Sequence, residues 1–377
     1  MLLTPCKDRR VAILDTIFVL DGSCRMTYGG AERYLILLHK LLVDLGYEPH
    51  VWQPGEMTHE VEGIRVSGLP WGTVEYSGIP VLNRQFYEQT TGYDKAIYLA
   101  PNLAFPFLRP RSVVISHGIG WDYPTHPWIT ACGPFKEEWY RRLQFGLIAP
   151  DLLVSVDTNT LNWIRALWPG YEERTVYIPN CVDLDAYFPV ERQREKVVVL
   201  YPRRLDLGRG LDDAKIAAQI ITRRHDFVEF HFVGRAMEDA DEAAMHRWVE
   251  EHPRCRYYWV PMHEMPAVYR EADIVLIPTR VGEGTSLSCL EAMASGKAIV
   301  CGHVGGLTDL IIDGLNGRLI NVTPETLTKA IEDLILHPET RCILGQRALA
   351  TAQAFSLTAW KRKWTQALRA VWGAPGS

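Results

Sequence analysis

Two glutamates eight residues apart, Glu283 and Glu291, bracket the run Gly284-Thr285-Ser286-Leu287-Ser288-Cys289-Leu290. Ala292-Met293-Ala294-Ser295-Gly296 follows, so a turn of small residues leads into an apolar helix that a glycine stops. A helix start offers unpaired backbone N–H groups and a partial positive charge, which together suit a diphosphate. Carboxylates on either side can accept hydrogen bonds from two sets of sugar hydroxyls. Ser288 and Glu291 also have capping-box spacing, which gives Glu291 a purely local role. Glu283 has no such role. Upstream, Arg203-Arg204-Leu205-Asp206-Leu207-Gly208-Arg209-Gly210 follows an apolar run. From one loop Arg204 and Arg209 can reach two oxygens of a diphosphate with charge-assisted bonds.

The first half has fainter signals of the same kind. Tyr28-Gly29-Gly30-Ala31-Glu32-Arg33 opens a helical period, and its glycines let backbone approach a phosphate or sugar closely. It lacks the G-x-G-x-x-G spacing of dinucleotide enzymes. Ser116-His117-Gly118-Ile119-Gly120-Trp121-Asp122 places a histidine just past an apolar run, where it can meet a sugar hydroxyl or a developing charge. His303-Val304-Gly305-Gly306-Leu307-Thr308-Asp309 repeats the glycine theme in the second half.

Each of these groups needs a strand before it and a helix after it. The runs 11–15, 95–100, 112–116, 152–156, 176–179, 197–201, 228–234, 256–260, 273–278 and 298–302 read as strands. Most are apolar without alternation, as parallel strands covered on both faces are. Helical periods fill 31–45, 158–168, 211–224, 238–251, 264–271, 287–295, 325–336, 339–354 and 357–372. Repeated βα units give an α/β, doubly wound architecture, and ten strands fit two Rossmann-like halves better than one open sheet. The break is expected after Pro179-Asn180-Cys181-Val182-Asp183, with polar 184–196 as linker. Ligands of such sheets bind beyond the carboxyl ends of the strands, where these motifs lie.

The chain has 377 residues, 47% hydrophobic and 23% charged, with a net charge of −5, the profile of a globular protein of about two domains. Without a basic excess, nucleic acid is not an expected partner. The eight cysteines include no C-x-x-C pair, which speaks against a zinc site and suits a reducing cytoplasm. Neither a signal peptide nor a run of about 20 apolar residues is visible, so no membrane span is expected.

Taken in this order, GGAERY, ISHGIGWD, IPNCVDLDAYFP, RRLDLGRG, EGTSLSCLEAMASG and VGGLTDLIIDGLNG resemble a retaining glycosyltransferase of the GT-B fold, family 4 (glycosyltransferase group 1). The resemblance runs from about residue 28 to 320. It implies an N-terminal acceptor-side domain (1–183), a C-terminal nucleotide-sugar domain (184–356) and a last helix (357–377) crossing back to the first. It implies that Arg204 and Arg209 hold the donor diphosphate, that Glu283 contacts the donor sugar and that Glu291 holds the ribose. Gly284, Thr285, Ser286 and Leu287 would bind sugar and phosphate through their backbone. His117 would lie near the reacting sugar, and Gly29 and Gly30 would face the phosphates. The donor would be a UDP- or GDP-linked sugar, with no metal or other cofactor required. The acceptor would be a glycan, a lipid-linked glycan or a small molecule, with segment 54–92 lining its side. Two positions depart from the family pattern: Arg203 stands where a glycine is common, and Asp309 where a glutamate is.

Two motifs have bland readings. Asp183-Leu184-Asp185 has the D-x-D spacing of a metal site but lies at the domain junction, away from the phosphate loops. Trp360, Trp364, Leu368 and Trp372 form a stripe on a basic helix, which suits packing onto the protein or contact with a membrane surface. The rival functions are a sugar-nucleotide epimerase or phosphorylase of the same fold, and a non-catalytic sugar-nucleotide-binding relative. Transfer to an acceptor separates them from a transferase.

Overall fold

The computed structural model describes residues 8–16, 18–20, 25–26, 29–70, 78–119, 136–190, 195–236 and 238–373. The chain forms two compact units, residues 1–179 with 361–377 and residues 180–360.

The first unit is built on β1 (Arg10–Leu14), β4 (Glu48–Pro54), β5 (Thr58–Val61), β6 (Ile64–Leu69), β7 (Ala96–Tyr98), β8 (Ser112–Ser116), β9 (Leu152–Ser155) and β10 (Thr175–Tyr177). A small hairpin of β2 (Val19–Leu20) and β3 (Arg25–Met26) follows β1. The sheet order is β10-β9-β8-β7-β1-β4-β6-β5, and only β5 runs antiparallel to its neighbour. The chain reverses its direction of travel across the sheet between β1 and β7. Val11, Ala12, Ile13 and Leu14 are fully buried, which is why β1 reads as an unbroken apolar run. Strands β4 to β6 had no such signature. In Glu-Pro-His-Val-Trp-Gln-Pro the polar groups find partners on neighbouring elements instead: His50 Nε2 lies 2.9 Å from Ser67 Oγ, and Gln53 Oε1 accepts from the backbone N–H of Phe18 and Val19.

Among the described residues four helices flank this sheet: α1 (Gly30–Asp44), α2 (Ile79–Gln89), α3 (Lys136–Ile148) and α4 (Thr158–Leu167). Asp157 caps α4, accepting from Thr160 N at 2.8 Å. Helices α2 and α3 were not anticipated. On α3, Gly146 lets the helix close on Pro101, where a Cβ would come within 1.8 Å of the carbonyl oxygen.

The second unit carries β11 (Val197–Tyr201), β12 (Val228–Val233), β13 (Cys255–Tyr258), β14 (Ile274–Ile277), β15 (Ala298–Gly302) and β16 (Arg318–Ile320). All run parallel, in the order β13-β12-β11-β14-β15-β16. The order reverses between β11 and β14. The edge strand β16 is three residues long, too short to stand out in the sequence. The helices are α5 (Leu211–Arg224), α6 (Asp239–Glu250), α7 (Met265–Glu271), α8 (Leu287–Ala294), α9 (Pro324–Leu336) and α10 (Pro338–Ala352). Apolar layers cover both faces of the sheet, one around Leu200, Val275, Ile277 and Met293, the other around Val199, Phe230, Leu276 and Ile331.

The last helix, α11 (Leu357–Trp372), spends its aromatic stripe on packing. Trp360, Trp364, Leu368 and Trp372 are all buried. In the first unit, Trp364 Nε1 donates to the Tyr34 hydroxyl at 3.0 Å and Trp372 Nε1 to the Arg111 carbonyl at 2.8 Å. None of the helices among the described residues is long and apolar enough to cross a membrane.

Candidate functional site

In the second unit the motif residues converge on three adjacent loops, which leave β11, β14 and β15 at their carboxyl ends. This is the point where the strand order reverses, the usual ligand position of a doubly wound sheet. The first loop runs through a short 3-10 turn, Leu207–Arg209, that Asp206 caps by accepting from Gly208 N at 2.7 Å. Gly210 then starts α5 with φ +74, and a Cβ there would come within 2.0 Å of the Pro278 carbonyl. So the first and second loops touch through backbone, and Arg280 N donates to Gly208 O at 2.9 Å.

The second loop ends in α8. Its N-cap is Ser286, whose hydroxyl accepts from Cys289 N at 3.4 Å. This corrects the capping-box reading of Ser288 and Glu291: Ser288 Oγ donates to the Pro202 carbonyl at 3.2 Å, and Glu291 lies one turn inside the helix. Glu291 is buried beside the Tyr269 hydroxyl, whose ionisation is disfavoured first by burial and then by that carboxylate. Thr285 and Ser286 are buried, Leu287 is partly exposed, and Gly284 packs under the third loop. Asn180, from the unit's first residues, donates to the Thr285 carbonyl at 2.6 Å.

Glu283 is the most heavily bonded side chain of the site. Arg203 Nη2 donates to both of its oxygens at 2.9 Å. Thr279 Oγ1 donates to Oε2 at 2.8 Å. Arg209 Nη1 lies 3.0 Å from Oε2, an ion pair without the alignment of a hydrogen bond. Arg203 also donates to Ser286 Oγ and Thr279 Oγ1, each at 3.1 Å. Burial alone would push the Glu283 carboxyl up. The two arginines outweigh it and hold the pKa down at about 2. The arginine that joins Arg209 on Glu283 is therefore Arg203, while Arg204, expected with Arg209 at the donor diphosphate, is exposed. In the sequence Arg203 stands out only as an arginine where the resembled family commonly has a glycine. Behind it Gly234 packs on the backbone of this turn, where a Cβ would come within 2.1 Å of the Arg203 carbonyl.

The glycines of the third loop have a supporting function. Gly305, at φ +50, brings its Cα so close to Glu283 that a Cβ would sit 2.2 Å from the Glu283 carbonyl. Gly306 N donates to that same carbonyl at 2.6 Å. The loop fixes the backbone of Glu283 from behind.

Gly29, Gly30 and His117 belong to the first unit, while Tyr28 and Gly120 to Asp122 lie outside the described residues. Gly29 is the extended N-cap of α1 and Gly30 its first residue, with no side chain capping the free N–H groups. His117 follows β8. Its ring meets Tyr34 edge-on, with centroids 5.0 Å apart, and its Nε2 has no hydrogen-bond partner among the described residues. Burial holds its pKa down at about 4, so the ring is neutral at physiological pH. Asp183 at the junction does turn work: its carboxylate accepts from Asp185 N at 3.0 Å. Among the described residues, no three His, Cys, Asp or Glu side chains are grouped to hold a metal ion.

Residues 185–350 match the family model for glycosyl transferases group 1. Over 167 residues the chain is 29% identical to an uncharacterised 41.2 kDa protein in the cps region of Klebsiella pneumoniae, covering 42% of this chain and 44% of that one. It spans less than half the length of the curated relatives it matches. Among solved structures, a sucrose-phosphate synthase from Thermosynechococcus elongatus superposes with a TM-score of 0.79 at 20% identity, covering 97% of this chain and 99% of that one. Anabaena HepE, solved in complex with UDP-glucose, gives 0.74 at 19% identity over 96% and 99%. The fold is that of the GT-B glycosyltransferases, with two Rossmann-like α/β units.

Proposed function

We propose, taking residues 185–350 as a glycosyltransferase group 1 domain, that the protein moves a sugar from a nucleoside-diphosphate donor to a hydroxyl acceptor. The observation that carries the reading is the arginine-bound Glu283 beside the N-terminus of α8, where the strand order of the second unit reverses. The second unit then binds the donor and the first unit the acceptor. The acceptor is a glycan, lipid-linked glycan or small molecule of glycoconjugate or polysaccharide biosynthesis. The relative in a cps region supports that setting, and the neighbour solved with UDP-glucose supports a nucleotide-linked donor. The base is uracil or guanine, and the reaction belongs to the cytoplasm, at the inner membrane face where the acceptor is lipid-linked.

Chemically, the leaving group carries the charge of a diphosphate, and cations beside it lower the barrier. Arg209 and the exposed Arg204 are the cations for that role. Backbone N–H groups at Gly284 to Leu287 add the helix-start contribution. Glu283, ionised and fixed, accepts from hydroxyls of the sugar through the lone pairs its arginines leave. We assign a retaining course, in family 4, with attack on the face the diphosphate leaves. A leaving-phosphate oxygen takes the acceptor proton. To a sugar hydroxyl we assign neutral His117, whose Nε2 is buried and unbonded among the described residues.

A thermal-shift series with UDP, GDP, ADP and their sugar conjugates, with and without EDTA, tests the donor. A ligand that binds only the folded state raises the melting temperature. The expected result is a shift by one nucleotide, unchanged by EDTA, followed by acceptor-dependent release of that nucleotide. Absence of any shift, or an epimerised sugar nucleotide with no transfer, overturns the proposal.

A further inference from the structure

Glu283 sits between two arginines, and the two hold it differently. Arg203 is the anchor: its side chain is 6% exposed, its Nη2 bonds both carboxylate oxygens, and its other contacts tie it to Thr279 and Ser286. Arg209 is the loose partner. A third of its side chain is exposed, and Nη1 approaches Oε2 without hydrogen-bond alignment. One carboxylate cannot neutralise both cations, so one positive charge is left over, on the arginine nearer solvent.

We propose that Arg203 is a positioning residue that acts through Glu283 to free Arg209 for the donor diphosphate. By supplying the permanent counter-ion of Glu283, Arg203 lets Arg209 leave the carboxylate and turn to phosphate oxygens. Without Arg203 the buried carboxylate has one cation within reach, and Arg209 is held to it. Glu283 then competes with the diphosphate for the same guanidinium. This rests on the donor reading above and extends it to a residue that touches no substrate.

The two ways of failing separate in a double-variant cycle read by nucleotide affinity. Full-length wild type, Arg203→Gln, Glu283→Gln and the Arg203→Gln/Glu283→Gln pair are titrated calorimetrically with UDP and with GDP. For whichever nucleotide the wild type binds, Arg203→Gln is expected to weaken binding by about tenfold or more, because Arg209 stays locked. The pair is expected to return to within about threefold of wild type, since removing the competing carboxylate frees Arg209 again. A residue that only shapes the loop gives no such recovery. Arg203→Lys, which keeps the charge and loses the fork, is expected to fall between wild type and Arg203→Gln. It carries the test if the Gln variant does not fold. Unchanged affinity in Arg203→Gln, or a pair as weak as the single variant, overturns the inference and leaves the transferase reading standing. Wild type that binds neither UDP nor GDP overturns the reading and the inference with it.

Discussion

Glu283 in the second unit and His117 in the first occupy equivalent stations, each just past the carboxyl end of a buried parallel strand. Their surroundings are opposite. Glu283 is wrapped in cations and hydroxyls, and His117 lies against the edge of Tyr34 with its Nε2 unbonded among the described residues. Burial penalises charge in both places. At Glu283 the arginines overcome that penalty, and at His117 nothing does. So one group is held charged and the other neutral, at about 2 and about 4. A shifted pKa at a strand end therefore says nothing of a role until its cause is known.

The sharpest way to break the comparison is to remove the charged member. Glu283→Ala leaves Arg203 buried without its carboxylate. The expected loss of stability is about 3–5 kcal/mol by denaturant titration, with turnover down about a thousandfold. A variant as stable as wild type shows that the network is not what holds this loop. Next comes Arg209→Ala, at a partly exposed side chain. It is expected to keep its melting temperature within a few degrees while losing about 100-fold in turnover. Near-normal turnover removes Arg209 from the diphosphate.

The pH dependence of stability tests both stations at once. Glu283 has a folded pKa near 2 against an ordinary 4.5, so its stabilisation is complete above pH 4.5 and drains as the pH falls towards 2. His117 has a folded pKa near 4 against 6.5, so the unfolded chain takes up its proton first and stability falls between pH 6.5 and 4. His117→Gln is expected to reduce the slope of the upper window, which His50 shares, and Glu283→Gln that of the lower one, which Asp8 and Glu229 share. Melting curves of both variants from pH 3 to 8 check this, and a single change that flattens both windows refutes their independence. The smallest expected effect is at Trp364→Phe, which removes the donor to the Tyr34 hydroxyl next to His117. About 2 kcal/mol of stability is expected to go, by denaturant titration, with nucleotide affinity in the second unit unchanged.

Much of the second unit was legible in advance. Its strands are apolar runs because both faces are covered, and α8 is announced by the turn of small residues before it. Ser288 misled because a capping box is a local pattern, and Pro202, a distant residue, took its hydroxyl. In the first unit, β4, β5, β6, α2 and α3 were missed. Among the strands, polar residues are satisfied across the sheet, as His50 of β4 is by Ser67 of β6, 17 positions on.

By itself the sequence determined the fold class, the alternation of elements and the loops that carry the chemistry, since these follow from periodicity and from glycine and charge at strand ends. It also determined that Glu283 and Arg209 belong to those loops. Only the tertiary structure decided which arginine holds Glu283. Arg203 and Arg204 are neighbours in the chain, and the turn after β11 sends one into the protein and leaves the other in solvent. Adjacent side chains leave a turn in different directions, and the choice between them depends on Thr279, Glu283 and Ser286, residues 76, 80 and 83 positions away.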